Sequence, residues 1–563
     1  MICEMFGGLL AIKDCFAQKE LIKDKFGAVW SKAEKAWLTA PSEDKVNALI
    51  KMGAKIDKTV YDAIGVKHQL HGLLQKIKDK VYKAEDSFKD LFVEEFNNEP
   101  FALMEHQVLG ANFANEIYKA GDTGCMLSME MGTGKTLTAM AMIGRQYKEG
   151  NFDKLLVVCP KVAMKVWKDE FEKFATFEYS IACLQGTQKK RIDTMNWLLE
   201  NGKGLKVAII NYEYTATFLP ILEKWKPDVV LCDESHRIKG ATTQQTKAVT
   251  KVGNLSKFRI CLTGTPLTSN VIDFFSQYRF MDSTIFGLSI TCYKNRYILT
   301  GMFGEYLRPN PTNFKELQAK INSIAYRVTK EECLNLPPFK DIVVPIDIDC
   351  MKQYKELERD YITWLNENES ISVTNALSQT LQLRQMTGGF YYTYDEITGK
   401  KNANFIDKSK LTTCMELVED LITGGNKVVI FAEFQAEIEA IYEECLKRKY
   451  KCGTYYGKTN DKDRADLVNG FQFGDTQVFI GQIESAGISI TLTASTHMIF
   501  YSTGYKYGVY DQARARIHRK GQKNACTYYH LIANNTIDKK IMKALNAKEA
   551  LAESIIDDYR KGE

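Results

Sequence analysis

Five short, almost continuously apolar runs punctuate residues 98–282: "CMLSM" (125–129), "KLLVVCP" (154–160), "KVAIINY" (206–212), "DVVLCDE" (228–234) and "FRICLTGTP" (258–266). Longer stretches with helical spacing separate them. A strand that is apolar at nearly every position must be covered on both faces. Such strands alternating with helices build a parallel sheet between two helical layers. The same alternation returns after residue 425 in "KVVIFAEF", "TQVFIGQI", "HMIFYS" and "ACTYYHLI". The chain therefore reads as α/β with two parallel-sheet lobes. Residues 282–405, between them, read as less regular and mostly helical, with a break at Pro337-Pro338.

Residues 1–97 read as a helical addition. Leu74, Ile77, Val81, Phe88, Leu91 and Phe92 recur at helical spacing. Ser42, followed by Glu43 and Asp44, reads as a helix start, because its hydroxyl can cap free N–H groups and the acids suit the positive end of the dipole.

Composition excludes several classes. The 563 residues are 45% apolar and 26% charged, as in an ordinary globular protein. A net charge of +5 permits a nucleic-acid partner only through a local basic surface. The fourteen Cys include no C-x-x-C pair, which argues against a zinc module or disulfide framework and for a reducing compartment. No run of 18 apolar residues suggests a membrane span, and the N-terminus lacks the basic start of a signal peptide.

The chemistry sits at the ends of the apolar runs. "MEMGTGKT" (129–136) follows one and opens the helical "LTAMAMI". This is the place for a phosphate-binding loop, where backbone N–H groups of Gly132, Thr133 and Gly134 face an anion. Lys135 can reach the β- and γ-phosphates of ATP, and the Thr136 hydroxyl can ligate Mg²⁺. The strict P-loop pattern fails only at its first Gly, where Met129 stands. A second run ends in adjacent acids, Asp233 and Glu234. Asp233 suits the Mg²⁺ carboxylate of a P-loop enzyme, and Glu234 can orient the attacking water or accept its proton. In "DQARARIHRKGQ" (511–522), Arg514, Arg516 and Arg519 crowd beside Gln512 and Gln522. They read either as a solvated basic helix face or as an arginine finger supplied by the second lobe.

Together these segments resemble the superfamily-two helicase-type motors, and among them the Swi/Snf-type DNA-translocating ATPases, over residues 98–545. "LMEHQ" resembles the adenine-reading Q motif, which implies that Gln107 meets the base. "VVCPKVAMKVWKDEF" and "IINYEY" are similar to the DNA-contacting motifs Ia and Ib, and "LTGTPLTSN" to motif III. "DESHRIKG" resembles the family's Asp-Glu-Ala-His with its basic tail. "IFG" (285–287) and "YRVTKEECLNLPP" resemble the helical protrusion and the crossing between lobes, and "SKL" (409–411) with "KVVIFAEF" the entry to the second lobe. "AGISITLTAS" and "QARARIHRKGQ" resemble motifs V and VI, with Ser489 and Thr491 standing where the family has a Gly or Asn and "YKYG" replacing its aromatic-Asn-Pro.

The resemblance implies two RecA-like lobes with helical protrusions. Residues 98–330 would form the ATP-binding lobe, 331–546 the second lobe and 547–563 a tail, behind an N-terminal helical domain (1–97). It implies an ATP- and Mg²⁺-dependent motor on double-stranded or branched DNA, with Gln512, Arg516 and Arg519 completing the ATP site. Lys161, Asn211, Arg237 and Lys239 become candidates for phosphate-backbone contacts, against the plainer reading of solvated charges or caps. A strand-separating or branch-migration helicase is the alternative enzyme, and a DNA-binding scaffold with an ATP-driven switch the alternative of another class. A monomer is expected, acting on forks, junctions or DNA-bound proteins. It is placed in a bacterial or virus-infected cytoplasm, or in a nucleus if eukaryotic. Lys135→Ala is expected to abolish ATP hydrolysis with circular dichroism unchanged; a wild-type rate would remove the phosphate-loop assignment.

Overall fold

The computed structural model describes residues 1–6, 9–15, 18–57, 59–60, 86–268, 270–301, 306–334, 336–367, 373–394, 401–486 and 490–557. The chain divides into two compact units, Met1–Cys333 with Ala552–Glu563, and Leu334–Leu551.

The first unit is built on a seven-stranded, wholly parallel sheet. Its order is Tyr179–Cys183, Leu205–Asn211, Lys154–Cys159, Val229–Asp233, Phe258–Thr263, Gly124–Met129 and Ala325–Val328. Burial explains the apolar runs: every residue of Gly124–Met129 is buried, and Val229 to Cys232 are fully so. Cys125, Cys159, Cys232 and Cys261 fill this sheet as small apolar side chains, and burial pushes each thiol well above its ordinary pKa. Helices follow the strands and cover the faces, among them Lys135–Lys148, Ala163–Phe174 and Tyr212–Trp225.

The second unit carries a six-stranded parallel sheet ordered Phe339–Ile346, Cys526–Ala533, His497–Phe500, Val428–Ala432, Val478–Gln482 and Cys452–Tyr455. One buried ion pair ties its elements. Lys410, 2% exposed, donates to Asp538 at 2.7 Å. Asp538 also accepts from the Thr387 hydroxyl at 2.9 Å and the Ala533 N–H at 3.2 Å.

Three expectations need correction. Residues 1–57 are not a helical domain. They form a five-stranded sheet, ordered Val29–Ser31, Ala36–Thr39, Leu9–Lys13, Ile2–Phe6, Lys55–Ile56, with helices Lys19–Phe26 and Glu43–Lys51. "ICEMF" and "LLAIK", with Gly-Gly between them in sequence, pair antiparallel from Ile2↔Lys13 to Phe6↔Leu9. That hairpin spacing is a strand signal that a search for helical periodicity passes over. The Ser42 cap is present, accepting from the Lys45 N–H at 3.3 Å. The helical reading of Leu74, Ile77 and Val81 lies outside the described residues, while Phe88, Leu91 and Phe92 flank or join a short 3₁₀ turn, Lys89–Leu91.

Secondly, residues 282–405 are less helical than read. They hold the antiparallel hairpins Ile298–Thr300 with Tyr306–Pro309 and Phe390–Tyr394 with Lys401–Phe405. They also contribute a parallel edge strand to each main sheet, Ala325–Val328 and Phe339–Ile346. Thirdly, the last helix, Ile537–Asp557, runs past residue 546, so no tail begins there. Among the described residues, no helix is long and apolar enough to cross a membrane.

Asp538→Ala would leave the Lys410 ammonium buried without its hydrogen-bonded counter-charge. Urea denaturation is expected to show a loss of about 3–5 kcal/mol in the second unit; a loss below roughly 1 kcal/mol, the value of an exposed pair, would remove the bridge from that role.

Candidate active site

The loop between strand Gly124–Met129 and helix Lys135–Lys148 turns through Gly132 (φ 88°) and Gly134 (φ 86°). Glycine is required at 134 twice over: the backbone is left-handed, and a Cβ there would lie 1.8 Å from Gln107 Nε2. Gln107 is buried against this loop. Its amide donates to Thr133 O at 3.3 Å and its Oε1 accepts from the Met104 N–H at 2.8 Å. His106 Nε2 lies 2.8 Å from the same Thr133 carbonyl. The loop is thus tied down from the helix Glu105–Lys119. From the other side Arg327 donates to Glu130 at 3.2 Å and to Gly264 O at 3.2 Å.

Lys135 is half-buried, its ammonium donating to Met129 O at 3.0 Å. The Thr136 hydroxyl makes no hydrogen bond among the described residues. Asp233 ends its strand close enough to Lys135 to feel its charge. Burial, and then the Glu234 carboxylate, raise the Asp233 pKa to about 6; the Trp167 indole and Lys135 pull the other way. Trp167 Nε1 donates to Asp233 Oδ2 at 2.9 Å, the Glu234 N–H to Oδ1 at 3.0 Å, and the Tyr212 hydroxyl to the Asp233 carbonyl at 2.7 Å. Glu234 sits at φ 52°, a left-handed conformation that costs a non-glycine residue about 1–3 kcal/mol. That turn swings its carboxylate to 3.3 Å from His236 Nδ1. Ser235 is bonded to Gln277, whose amide reaches Pro266 O, so the acidic turn is stitched to the 262–270 loop.

Hard oxygen donors at Thr136 and Asp233, beside a lysine and a glycine turn, are what Mg²⁺ with a phosphate chain requires. The first unit therefore assembles Gln107, Gly132, Thr133, Gly134, Lys135, Thr136, Asp233 and Glu234 in one place. Trp167, Tyr212 and the Glu130–Arg327 pair escaped the sequence reading, because nothing local to them marks a long-range bond to the site. Trp167 lies inside a segment that was read for its lysine.

Of the four candidate backbone contacts, Lys161 is exposed. The others hold intramolecular partners. Asn211, 5% exposed, donates to Glu213 Oε2 at 2.6 Å, and Arg237 Nη1 to Glu213 Oε1 at 2.9 Å. Lys239 donates to the Thr268 hydroxyl at 2.5 Å and lies 3.8 Å from Asp273.

The basic segment of the second unit is no solvated face. Helix Tyr507–Arg514 ends before Arg516 and Arg519. Arg514 is a structural residue, paired with Asp341 and Glu549 at 3.0 Å each and packed over the Phe339, Tyr510 and Tyr528 rings. Arg516, 2% exposed, donates to Gln512 O at 3.0 Å and Ile490 O at 3.2 Å. Arg519 donates to Ile490 O at 3.3 Å, has no carboxylate partner among the described residues, and has its pKa lowered by burial. Gln512 is buried, and the Gln522 amide is spent on backbone carbonyls. Ser489 lies outside the described residues.

The SNF2-related domain family matches residues 106–388, half of the chain, and the helicase conserved C-terminal domain matches residues 409–521. A RAD54-like DNA repair and recombination protein of Drosophila ananassae is 25% identical over 509 residues, covering 82% of this chain and 63% of its own. An uncharacterized ATP-dependent helicase of Mycoplasma genitalium is 25% identical over 470 residues, covering 82% of this chain and 43% of its own. The chain thus spans less than two thirds of the length of these relatives. The SWI2/SNF2 ATPase core of Sulfolobus solfataricus, solved with dsDNA, covers 85% of this chain and 96% of its own at 24% identity and a TM-score of 0.40.

Glu213 holds both Arg237 and Asn211. Glu213→Gln is expected to free them and strengthen duplex DNA binding by up to about fivefold, the value of an exposed ion pair; unchanged affinity in a fluorescence titration would leave the pair a purely structural one.

Proposed function

The chain belongs to the SNF2-related family, and from that premise we propose that it is an ATP-hydrolysing, Mg²⁺-dependent motor that moves along double-stranded DNA. The observation that carries this reading is the convergence of Lys135, Thr136, Asp233 and Glu234 at the ends of two strands that flank Phe258–Thr263 in one parallel sheet. Brought together, they match the needs of phosphoryl transfer to water, which are positioning and charge stabilisation.

In this reading the loop amides of Gly132 to Lys135 hold the phosphate chain, and the Lys135 ammonium leaves Met129 O for the β- and γ-oxygens. Thr136 and Asp233 would hold Mg²⁺, which supplies neutralisation of the developing charge. Trp167 and the Glu234 N–H keep the Asp233 carboxylate oriented. Glu234 takes the proton of the attacking water. Gln107 meets the base after releasing the loop. Arg519, with Arg516 and Gln512 assisting, supplies a guanidinium to the transition state; that it has no carboxylate partner among the described residues supports that role. Lys161, Asn211, Arg237 and Lys239 grip backbone phosphates, which gives affinity without sequence reading. The motor would act as a monomer on forks, junctions or DNA-bound proteins, and the relatives named for DNA repair and recombination support that choice of substrate.

Glu234→Gln keeps shape and removes charge, so single-turnover hydrolysis is expected to collapse while ATP binding persists. Arg519→Ala is expected to lower DNA-stimulated turnover by about 10³-fold or more. The deciding comparison sets triplex displacement beside separation of a plain partial duplex. Opening each base-pair step costs about 1.4 kcal/mol of stacking, which a duplex translocase does not spend. Displacement without separation supports the proposal; separation without displacement favours the strand-separating helicase. ATP turnover that no DNA stimulates, with DNA still bound, would favour the DNA-binding scaffold with an ATP-driven switch.

A further inference from the structure

The N-terminal sheet is seated on the first unit's protrusion. Leu288 packs into the cluster of Leu9, Ala11, Ala36 and Leu38, and Gly27 lies close against Cys292 and Gly287. The docking brings Lys45, on helix Glu43–Lys51, within electrostatic reach of Arg296 and Lys320, on helices Ile290–Tyr297 and Phe314–Ser323.

Their one carboxylate is already saturated. Glu316 accepts from Arg296 Nε and Nη2, from Lys320 at 3.1 Å and from the Tyr297 hydroxyl at 2.7 Å. Burial followed by those donors sets its pKa, and the donors win, holding it near 2. Among the described residues Lys45 has no acid hydrogen-bonded to it. Its ammonium donates to the Thr39 hydroxyl at 2.8 Å and to Ala40 O at 3.0 Å, both neutral acceptors. Among the described residues the cluster is three basic side chains against one carboxylate. Among the described residues each cation also keeps an N–H to spare: one on Lys45, one on Lys320 beyond Glu316 and the Tyr297 hydroxyl, and Nη1 of Arg296. Solvent still reaches them, since the Lys320 side chain is 30% exposed and that of Arg296 49%.

Cations crowded without matching acids repel one another unless an anion joins them. Three converging groups with unused donors suit a tetrahedral oxyanion, which accepts several charge-assisted hydrogen bonds at once. We propose that Lys45, Arg296 and Lys320 form a phosphate-binding site in the seam between the N-terminal sheet and the protrusion, and that its ligand is a backbone phosphate of the DNA on which the motor acts. The choice of DNA as the source of the phosphate rests on the function proposed above; the cation cluster does not.

Proton uptake accompanies such binding. Burial, then Lys320 and Arg296, lower the Lys45 pKa to about 7, against a smaller opposite pull from Glu316. Lys320 is lowered by burial as well. A phosphate reverses the repulsion and favours the ammonium. Phosphate affinity therefore weakens as pH rises through about 7, and the Lys45→Gln variant loses that dependence.

The test uses the full chain and its Lys45→Gln/Lys320→Gln variant, with Lys45→Gln alone as the deciding protein if the pair does not fold. Neither residue touches the ATP site, so DNA-independent ATPase is the control for folding. In the first arm, duplex affinity is measured against salt. Each lost phosphate contact lowers the log–log slope by about 0.9, so wild type should lose roughly three- to fourfold more affinity than the variant over a fourfold salt increase. In the second arm, melting is followed in inorganic phosphate against chloride at equal ionic strength. A lower slope for the variant supports the site with DNA as its ligand. An unchanged slope with loss of a phosphate-specific rise in melting temperature supports the site and assigns it to free phosphate. Both arms unchanged would overturn the proposal. Failure of wild type to bind duplex at all would count against the motor reading, and the second arm would still decide the site.

Discussion

The Asp233 carboxylate is where strand, loop and helix of the first unit meet. Its two oxygens are fixed by the Trp167 indole and by the next N–H along the chain, and its carbonyl by Tyr212. Those bonds join helix Ala163–Phe174 and helix Tyr212–Trp225 to the end of strand Val229–Asp233. A carboxylate buried beside a second one resists ionisation, and its pKa rises accordingly. The arrangement holds because Lys135 and the hydrogen bonds oppose that resistance. Two adjacent acids beside one lysine leave the site short of positive charge, which the Mg²⁺ proposed for Thr136 and Asp233 would supply.

Around this point the loops are mutually constrained. The acidic turn is bonded through Ser235 and Gln277 to the 262–270 segment, and Lys239 reaches Thr268 in it. The glycine loop is held by Gln107 on one side and by Arg327 through Glu130 on the other. These bonds form a continuous path from the glycine loop through Gly264 and Thr268 to Lys239, one of the residues proposed to meet DNA. Glu213 stands at the outer end of this chain of contacts, and occupies the donors of Arg237 and Asn211 with a carboxylate in the position proposed for a phosphate.

Much of the candidate site was legible because its demands are local. A left-handed glycine pair before a lysine, and two acids closing an apolar run, are written in consecutive residues. The pairing of charges was not legible. Arg514, Arg516 and Arg519 look alike in sequence. One is neutralised by Asp341 and Glu549, one is buried on backbone carbonyls, and one keeps no carboxylate partner among the described residues. Lys45 gave no signal at all, because its neighbours Arg296 and Lys320 lie some 250 residues away in the chain.

The amino-acid sequence by itself determined the two parallel sheets, since a strand apolar on both faces can be buried in few other ways. It also determined the glycine loop and the acidic strand end, whose backbone and charge requirements are met within a few residues. Tertiary structure decided the rest. It turned the N-terminal segment into a sheet, where hairpin pairing outweighed weak helical spacing. It recruited Ala325–Val328 and Phe339–Ile346 as edge strands, because a sheet edge with unpaired N–H and C=O groups captures whatever extended segment reaches it. It also chose which cations are spent on acids and which remain available, because an ion pair forms between groups that folding brings within about 4 Å, whatever their separation along the chain.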